Sequence, residues 1–491
     1  MNLMVLYKEM AMTRTMLLNF LLLLCSLTMP GILSANDTVA ANKYYVDPQN
    51  GNDNQEGTSV KRPWKTLQKV NAQVFNPGDQ VLFKRGGKWQ GQLVPQGSGT
   101  QEKPIVFGAY GKGALPVIAA EGKFTDAVRI KNISHLAIEF LDISNFDAGV
   151  KEQKTGPTGV RILSEDIGTI SNIRLSNLFV HDINGDNKKG SKEGHGIFWD
   201  CQGPKASNIE NLLIENCRLE RVDRNGIRGN GTFGFRNNWF PNRNLTIRGC
   251  TISDIGGDGI VIKAFDGALV EHNKLFYIRT RAKDNAVGIW PHSSDNTVIQ
   301  FNEVAYTQND DWSNDGQSFD IDGNCNHTII QNNYSHDNEG GFMLVISDAI
   351  NVKSRMTRNS IIRDNLSIND GNNRKRLFNF ASASDSTLVS GNVFYNNSKD
   401  SVKIEFVDVE YSGQKNVLFE RNIIHYTGAS SAVFSKTAKQ YERLSWKEND
   451  FKGNIVGRGN LLNVINGETM LKDKNTRKYP WSLLKKLKLN K

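Results

Sequence analysis

Cysteine, proline and long apolar runs are scarce in this chain. It carries five Cys and 12 Pro in 491 residues, and after the N-terminal segment no apolar run is long enough to cross a bilayer. Four cysteines remain beyond that segment: Cys201, Cys217, Cys250 and Cys325. They show no CxxC or metal-ligand spacing, so neither a disulfide framework nor a structural zinc site is expected, and buried inert thiols are. Long amphipathic helices are also missing, which excludes a helical solenoid. Gly, at 44, is plentiful.

The first 35 residues hold Lys8 and Arg14, the apolar run "MLLNFLLLLCSLTM" and a small-residue exit, "ILSA". This reads as a signal peptide rather than a span, and it implies a secreted or periplasmic protein. Cys25 follows Leu24, where a lipoprotein signal needs a small residue, which argues against lipid anchoring. The net charge of +9 suits an acidic partner, and for an exported chain that means an anionic glycan rather than nucleic acid. Part of the excess lies in the tail "SLLKKLKLNK" and in "NNRKR" at 372–376.

Internal repeats give the architecture. The phrase apolar-x-x-Asn-x-apolar recurs at Asn216, Asn273, Asn302, Asn333, Asn365, Asn392 and Asn422, with Gly249 filling one slot and Asn177 an earlier one. Spacings of roughly 24 to 39 residues suit coils joined by loops of unequal length. Each repeat contains two or three short alternating, β-branched runs split by Gly, Asn and Asp. The chain is therefore all-β, a right-handed parallel β-helix whose asparagines bond from coil to coil as a ladder. The sequons "NYS" and "NLS" fall in that ladder and are not glycan acceptors. Residues 1–35 are the leader, 36–125 the N-terminal cap and first coils, 126–450 the β-helix and 451–491 a C-terminal extension. In the cap, "RPWKTLQKVNAQV" at 62–74 reads as an amphipathic helix with Trp64, Leu67 and Val70 on one face.

The stretch "YYVDPQNGNDNQEGT…RPWKTL…PGDQVLFKRGGKW" resembles the N-terminal segment of secreted bacterial pectin-lyase-like β-helix proteins, a superfamily of polysaccharide lyases and glycoside hydrolases. The resemblance runs from Lys43 to about Phe451 and implies a carbohydrate-active enzyme.

A second phrase, polar-Gly-apolar-x-apolar-x, recurs half a coil away: "TGVRIL", "HGIFWD", "NGIRGN", "DGIVIK", "VGIWPH", "QSFDID" and "GGFMLV". Strand alternation sends its third and fifth positions inward, including Phe319 and Ile321, and its fourth and sixth outward. The outward columns read Arg161, Phe198, Arg228, Val261, Trp290, Asp320, Met343 and Asp200, Asn230, Lys263, His292, Asp322, with His195, Asn225, Asp258 and Gln317 along the edge. At about 4.8 Å per coil, this gathers acids, bases and one exposed indole into a patch suited to a sugar. The insertions "IRTRAKDN" and "TQNDDWSNDG" rise beside it as groove walls, with Asp284, Asp310, Asp311 and Trp312 as lining.

Two chemistries fit. Hydrolysis needs two carboxyl groups, and Asp320 and Asp322 have backbones ~6.6–6.8 Å apart along one strand, with Asp258 as an alternative partner and His292 to tune or hold. β-Elimination needs a base and a cation: Lys263 and His292 share a column, Arg228 is near, and Asp258, Asp320 and Asp322 form a set for Ca²⁺. The "KS" strand and following "RHG" of Lys-based β-helix lyases are absent, and "IKAFDG" and "IWPHSS" match only in outline. "GIWPHSSDNTVIQFNEV", "DGQSFDID" and "HDNEGGFML" look more like the β-helix glycoside hydrolases that attack plant or algal glycans. The expected catalytic set is Asp320, Asp322, Asp258, His292 and Lys263. The expected substrate-binding set is Trp290, Arg228, His195, Asn230, Gln317, Asp200 and Trp312. No cofactor is expected for a hydrolase, and Ca²⁺ for a lyase. The partner is a polysaccharide or oligosaccharide, neutral or anionic, and the protein a monomer without a membrane span. A glycan-binding β-helix without catalysis is the third alternative.

Overall fold

A computed structural model describes residues 41–146, 156–190, 192–231, 239–310, 313, 315–347, 356–373, 376–410, 413–436, 440 and 443–457. The expected leader, Cys25, Asp311 and Trp312 lie outside them. The described chain coils through three parallel sheets of 14, 13 and 12 strands, each strand pairing with its counterparts in the preceding and following coils. This is the right-handed parallel β-helix expected from the repeats. The first sheet starts at Lys43–Val46 and the last two strands, Asp450–Gly453 and Ile455–Gly457, carry the coils past residue 450. Among the described residues no helix is long and apolar enough to cross a membrane.

The 12-stranded sheet positions the site. Its strands are numbered β1 (Asp126–Lys131), β2 (Thr158–Glu165), β3 (His195–Gln202), β4 (Asn225–Gly229), β5 (Ile260–Lys263), β6 (Ile289–His292), β7 (Gln317–Ile321), β8 (Gly341–Val345), β9 (Arg376–Phe380), β10 (Lys403–Val409), β11 (Ser431–Phe434) and β12 (Ile455–Gly457). Ile197, Trp199, Ile260, Ile262, Phe319 and Ile321 are all fully buried in the core, as alternation requires. The glycine that opens the repeated phrase has a steric reason. A Cβ on Gly196, Gly226, Gly259 or Gly288 would lie 2.4–2.7 Å from the carbonyl oxygen of the next coil, so only a bare Cα lets the coils stack there.

The asparagine ladder runs from Asn273 through Asn302, Asn333, Asn365, Asn392 and Asn422 to Asn449. Each Nδ2 donates to the next Oδ1 at 2.8–3.0 Å, and each also reaches a main-chain carbonyl of the preceding coil. Asn177, Asn216 and Gly249 are not rungs. They occupy the neighbouring column, with φ of 53°, 53° and 64°, where Asn and Gly tolerate the left-handed turn. The ladder slots beside the last two hold Cys217 and Cys250, and Cys250 N–H donates to Asn273 Oδ1 at 2.9 Å. All four described cysteines are free and buried.

At the N-terminal end the helix is shorter than expected: α1 is Leu67–Asn71, with Thr66 as its N-cap. Trp64 N–H instead donates to Tyr45 O of the first strand, and its C=O accepts from Asp47 N–H just past that strand, which keeps residues before Thr66 extended. Trp64, Leu67 and Val70 are buried, and Trp64 stacks on Tyr44 with centroids 4.7 Å apart.

Candidate active site

The loops that enter β3, β6 and β7 all rise on the outer face of the 12-stranded sheet, and they are tied to one another. Arg224, fully buried, donates from Nη1 to Asp258 Oδ2 at 3.0 Å, and from Nη2 to Asp284 Oδ1 at 2.8 Å and to the Asn285 carbonyl at 3.0 Å. Lys189 N–H donates to the other oxygen of Asp284. Arg279 Nη2 holds Asp310 Oδ2 at 3.1 Å. Asp284 and Asp310 are therefore staples between loops.

Asp258 is a buried post between the loops. Its Oδ1 accepts Trp290 Nε1–H and Val287 N–H, both at 2.9 Å, and its Oδ2 faces Arg224. Burial raises its pKa, but Arg224, Lys189 and the Val287 hydrogen bond hold the carboxyl below the usual carboxylate range. Each of its oxygens is engaged by protein donors. Among the described residues no group of three or more His, Cys, Asp or Glu has metal-binding geometry.

What remains is a cluster of three carboxyls before, on and just past β7. Asp320 points outward by strand parity, yet it is only 4% exposed, because the loops cover the face that the sequence left open to solvent. Burial pushes its carboxyl well above the normal range, and the charges of Asp322 and Asp315 push it further. Its Oδ1 is buried without a hydrogen-bond partner. Asp315, two residues before β7, is pushed by burial up to about 7 against the pull of Lys189, with Asp258 and Asp322 adding to the rise and Arg279 opposing it. Asp322 is half-buried just past β7, and Gly323 N–H donates to its Oδ1 at 2.6 Å.

The expected register holds around this cluster. Lys263 pairs with His292, Val261 with Trp290, and Asp322 N–H donates to Pro291 O at 3.2 Å, which sets Asp322 beside His292. Lys263 and His292 are both half-buried. Trp290 is 8% exposed rather than open; Lys189 Nζ lies 5.6 Å from its ring centroid, and His292 meets it edge-on at 6.4 Å. Beyond Asp320 the register shifts by one: its neighbour on β8 is Leu344, while Met343 pairs with Phe319 in the core, since Gly340 and Gly341 add a residue to the turn.

The residues on β3 and β4 do not join the acids. Arg228 is ion-paired with Glu193, and Asn225 Nδ2 bridges Glu193 at 2.7 Å and His195 Nδ1 at 3.0 Å. His195 is buried and stacked on Phe198 at 4.4 Å; burial and the nearby Arg228, Arg161 and Arg224 push its pKa well down, so it is neutral. Asp200 is buried and accepts from Gln202, Asn230 is exposed, and Gln317 is fully buried at the start of β7. Asp315, Lys189, Arg224 and Glu193 were not legible as site residues. The one available signal was "DNKKGSKEG" before His195, an insertion at the same place in its coil as the two recognised ones.

A family profile described as a right-handed β-helix region matches residues 126–304. The chain is 26% identical over 482 aligned residues to a lacto-N-biosidase of Bifidobacterium longum subsp. longum, with 79% of this chain covered; it spans 29% of the length of that relative. Crystal structures of a GH136 lacto-N-biosidase from Eubacterium ramulus superpose with TM-scores of 0.68 and 0.66 at 27% and 25% identity. They cover 78% and 84% of this chain and 68% of theirs. These likenesses support a β-helix carbohydrate-active enzyme and favour hydrolysis over elimination.

Proposed function

We propose that the protein is a glycoside hydrolase that cleaves an oligosaccharide of the lacto-N-bioside type by carboxyl catalysis at Asp315, Asp320 and Asp322. The observation that carries this is the elevation of Asp315 and of Asp320, each by burial and by the charge of Asp322, on a strand whose register sets Asp320 beside Trp290. Two titratable groups whose surroundings separate their protonation states are what acid-assisted glycoside cleavage requires. Asp315, still protonated near neutrality, donates to the leaving glycosidic oxygen. Asp322, at the groove surface, attacks the anomeric carbon or activates water. Asp320, buried between them and held protonated, donates a hydrogen bond within the site. Trp290 gives the sugar ring an apolar face whose angle is fixed by Asp258.

The likeness to lacto-N-biosidases moves the substrate away from the plant or algal polysaccharide that the sequence suggested. The lyase reading loses support from the same geometry, because Arg228 is spent on Glu193 and Asp258 on Arg224, Val287 and Trp290. The N-terminal apolar run supports action outside the cytoplasm. Incubation with 4-nitrophenyl lacto-N-bioside, alongside a panel of plant and algal polysaccharides, tests both parts. Release of nitrophenol and reducing sugar without an ultraviolet-absorbing unsaturated product supports the reading, and an unsaturated product overturns it.

A further inference from the structure

Asn379 sits on β9, between Phe378 and Phe380, whose rings are fully buried in the core. Alternation therefore turns the Asn379 side chain to the outer face, in the column that runs Trp290, Asp320, Leu344, Asn379. The residue is 1% exposed, and neither its Nδ2 nor its Oδ1 has a hydrogen-bond partner. Its charged neighbours Arg376 and Asp408 are engaged in ion pairs rather than with the amide. Arg376 Nη1 donates to Glu410 Oε1 at 2.6 Å and to Asp408 Oδ2 at 3.3 Å, and Lys436 Nζ lies 2.6 Å from Asp408. A buried amide with both ends unmet is costly, and in a native protein it calls for a ligand or water that completes it.

We infer that Asn379 is a sugar-binding residue, taking the ring next to the one whose bond is broken. This rests on the hydrolase reading above. Two coil steps of ~4.8 Å put its backbone about 9.6 Å from that of Asp320, past the ring being cleaved and level with its neighbour. Leu344, buried between the two polar positions, gives that ring an apolar floor. The amide accepts from one hydroxyl and donates to another, which selects a neutral pyranose rather than a uronic acid. The glycan then lies along the helix axis, on the C-terminal side of the carboxyls.

The test is the variant Asn379→Leu, close in size and without polar atoms. Wild type and variant are compared on 4-nitrophenyl lacto-N-bioside and on the 4-nitrophenyl monoglycoside that keeps only the ring at the broken bond, with thermal unfolding measured on both full-length proteins. The expected result is a drop of at least about tenfold in kcat/KM on the bioside with the monoglycoside rate unchanged. Tm should rise by about 1–3 °C, because an unmet amide has been replaced by an apolar group. A fall in Tm marks the amide as a structural bond and overturns the inference whether or not the protein is a hydrolase. An unchanged bioside preference overturns it while leaving the hydrolase reading intact. If wild type cleaves neither probe, that reading fails instead, and calorimetric binding of lacto-N-biose decides for Asn379: weaker binding to the variant supports it, and equal or absent binding to both proteins overturns it.

Discussion

Asp258 accepts the indole N–H of Trp290 at 2.9 Å while its other oxygen meets the buried Arg224, so one carboxylate fixes the indole and the loops around it. An acid that the sequence offered as a catalyst holds the aromatic ring in a defined orientation. Removing its charge takes one of two counter-ions from the fully buried Arg224 and leaves Asp284 as the other. Asp258→Asn should therefore lower stability by about 1–3 kcal/mol in denaturant unfolding. Loss of activity without loss of stability would contradict the structural role.

Trp290→Phe separates the platform from the post. Phe keeps an apolar face but gives up the N–H to Asp258, so KM should rise several-fold, on the order of 1 kcal/mol of binding, with kcat changed much less. Equal falls in kcat and kcat/KM would place the indole in the chemistry itself.

The pH dependence follows from Asp315. Its carboxyl titrates near 7 in the folded protein and at 3.8 by its ordinary value, so the native state binds the extra proton between those limits. Its contribution to stability is fully present below pH 3.8 and is lost as pH rises through about 7. As general acid it must be protonated, so activity should fall on the alkaline side of about pH 7. Lys189 pulls this pKa down, and Lys189→Ala should move the alkaline limb to higher pH. A limb that stays in place would remove Lys189 from the site.

The ladder is testable independently of function. Asn333 bonds at 2.9–3.0 Å to Ile299 O and Asn365 Oδ1, and accepts from Asn302 Nδ2 at 3.0 Å. Asn333→Ala leaves those buried groups unmet and should cost about 2–5 kcal/mol. In the same core, Cys217 and Cys250 fill slots of that column, so a thiol reagent should modify them only on unfolding.

How far this was readable from sequence depended on range. Strand parity and coil register are local and periodic, so the burial of Phe319 and Ile321 and the pairing of Lys263 with His292 were accessible from the repeats. One-residue errors arose where the repeat changes length. Asn216 stands one place before its ladder slot, and Gly340–Gly341 shifts Met343 inward. The burial of Asp320 and the spending of Asp258 on Arg224 were not accessible, because loops distant in sequence cover the outer face. Lys189 reaches Asp284 across 95 residues, and Arg224 reaches it across 60. Nothing periodic reports contacts of that kind.

The most direct test of the central claim is the turnover of 4-nitrophenyl lacto-N-bioside by Asp315→Asn, Asp320→Asn and Asp322→Asn, each checked for an unchanged melting curve or a higher one. The account predicts that Asp315→Asn and Asp322→Asn lose at least about 10²- to 10⁴-fold in kcat, the range of a positioned proton donor or base, and that Asp320→Asn loses less. Full turnover by either of the first two, in a folded protein, would contradict it.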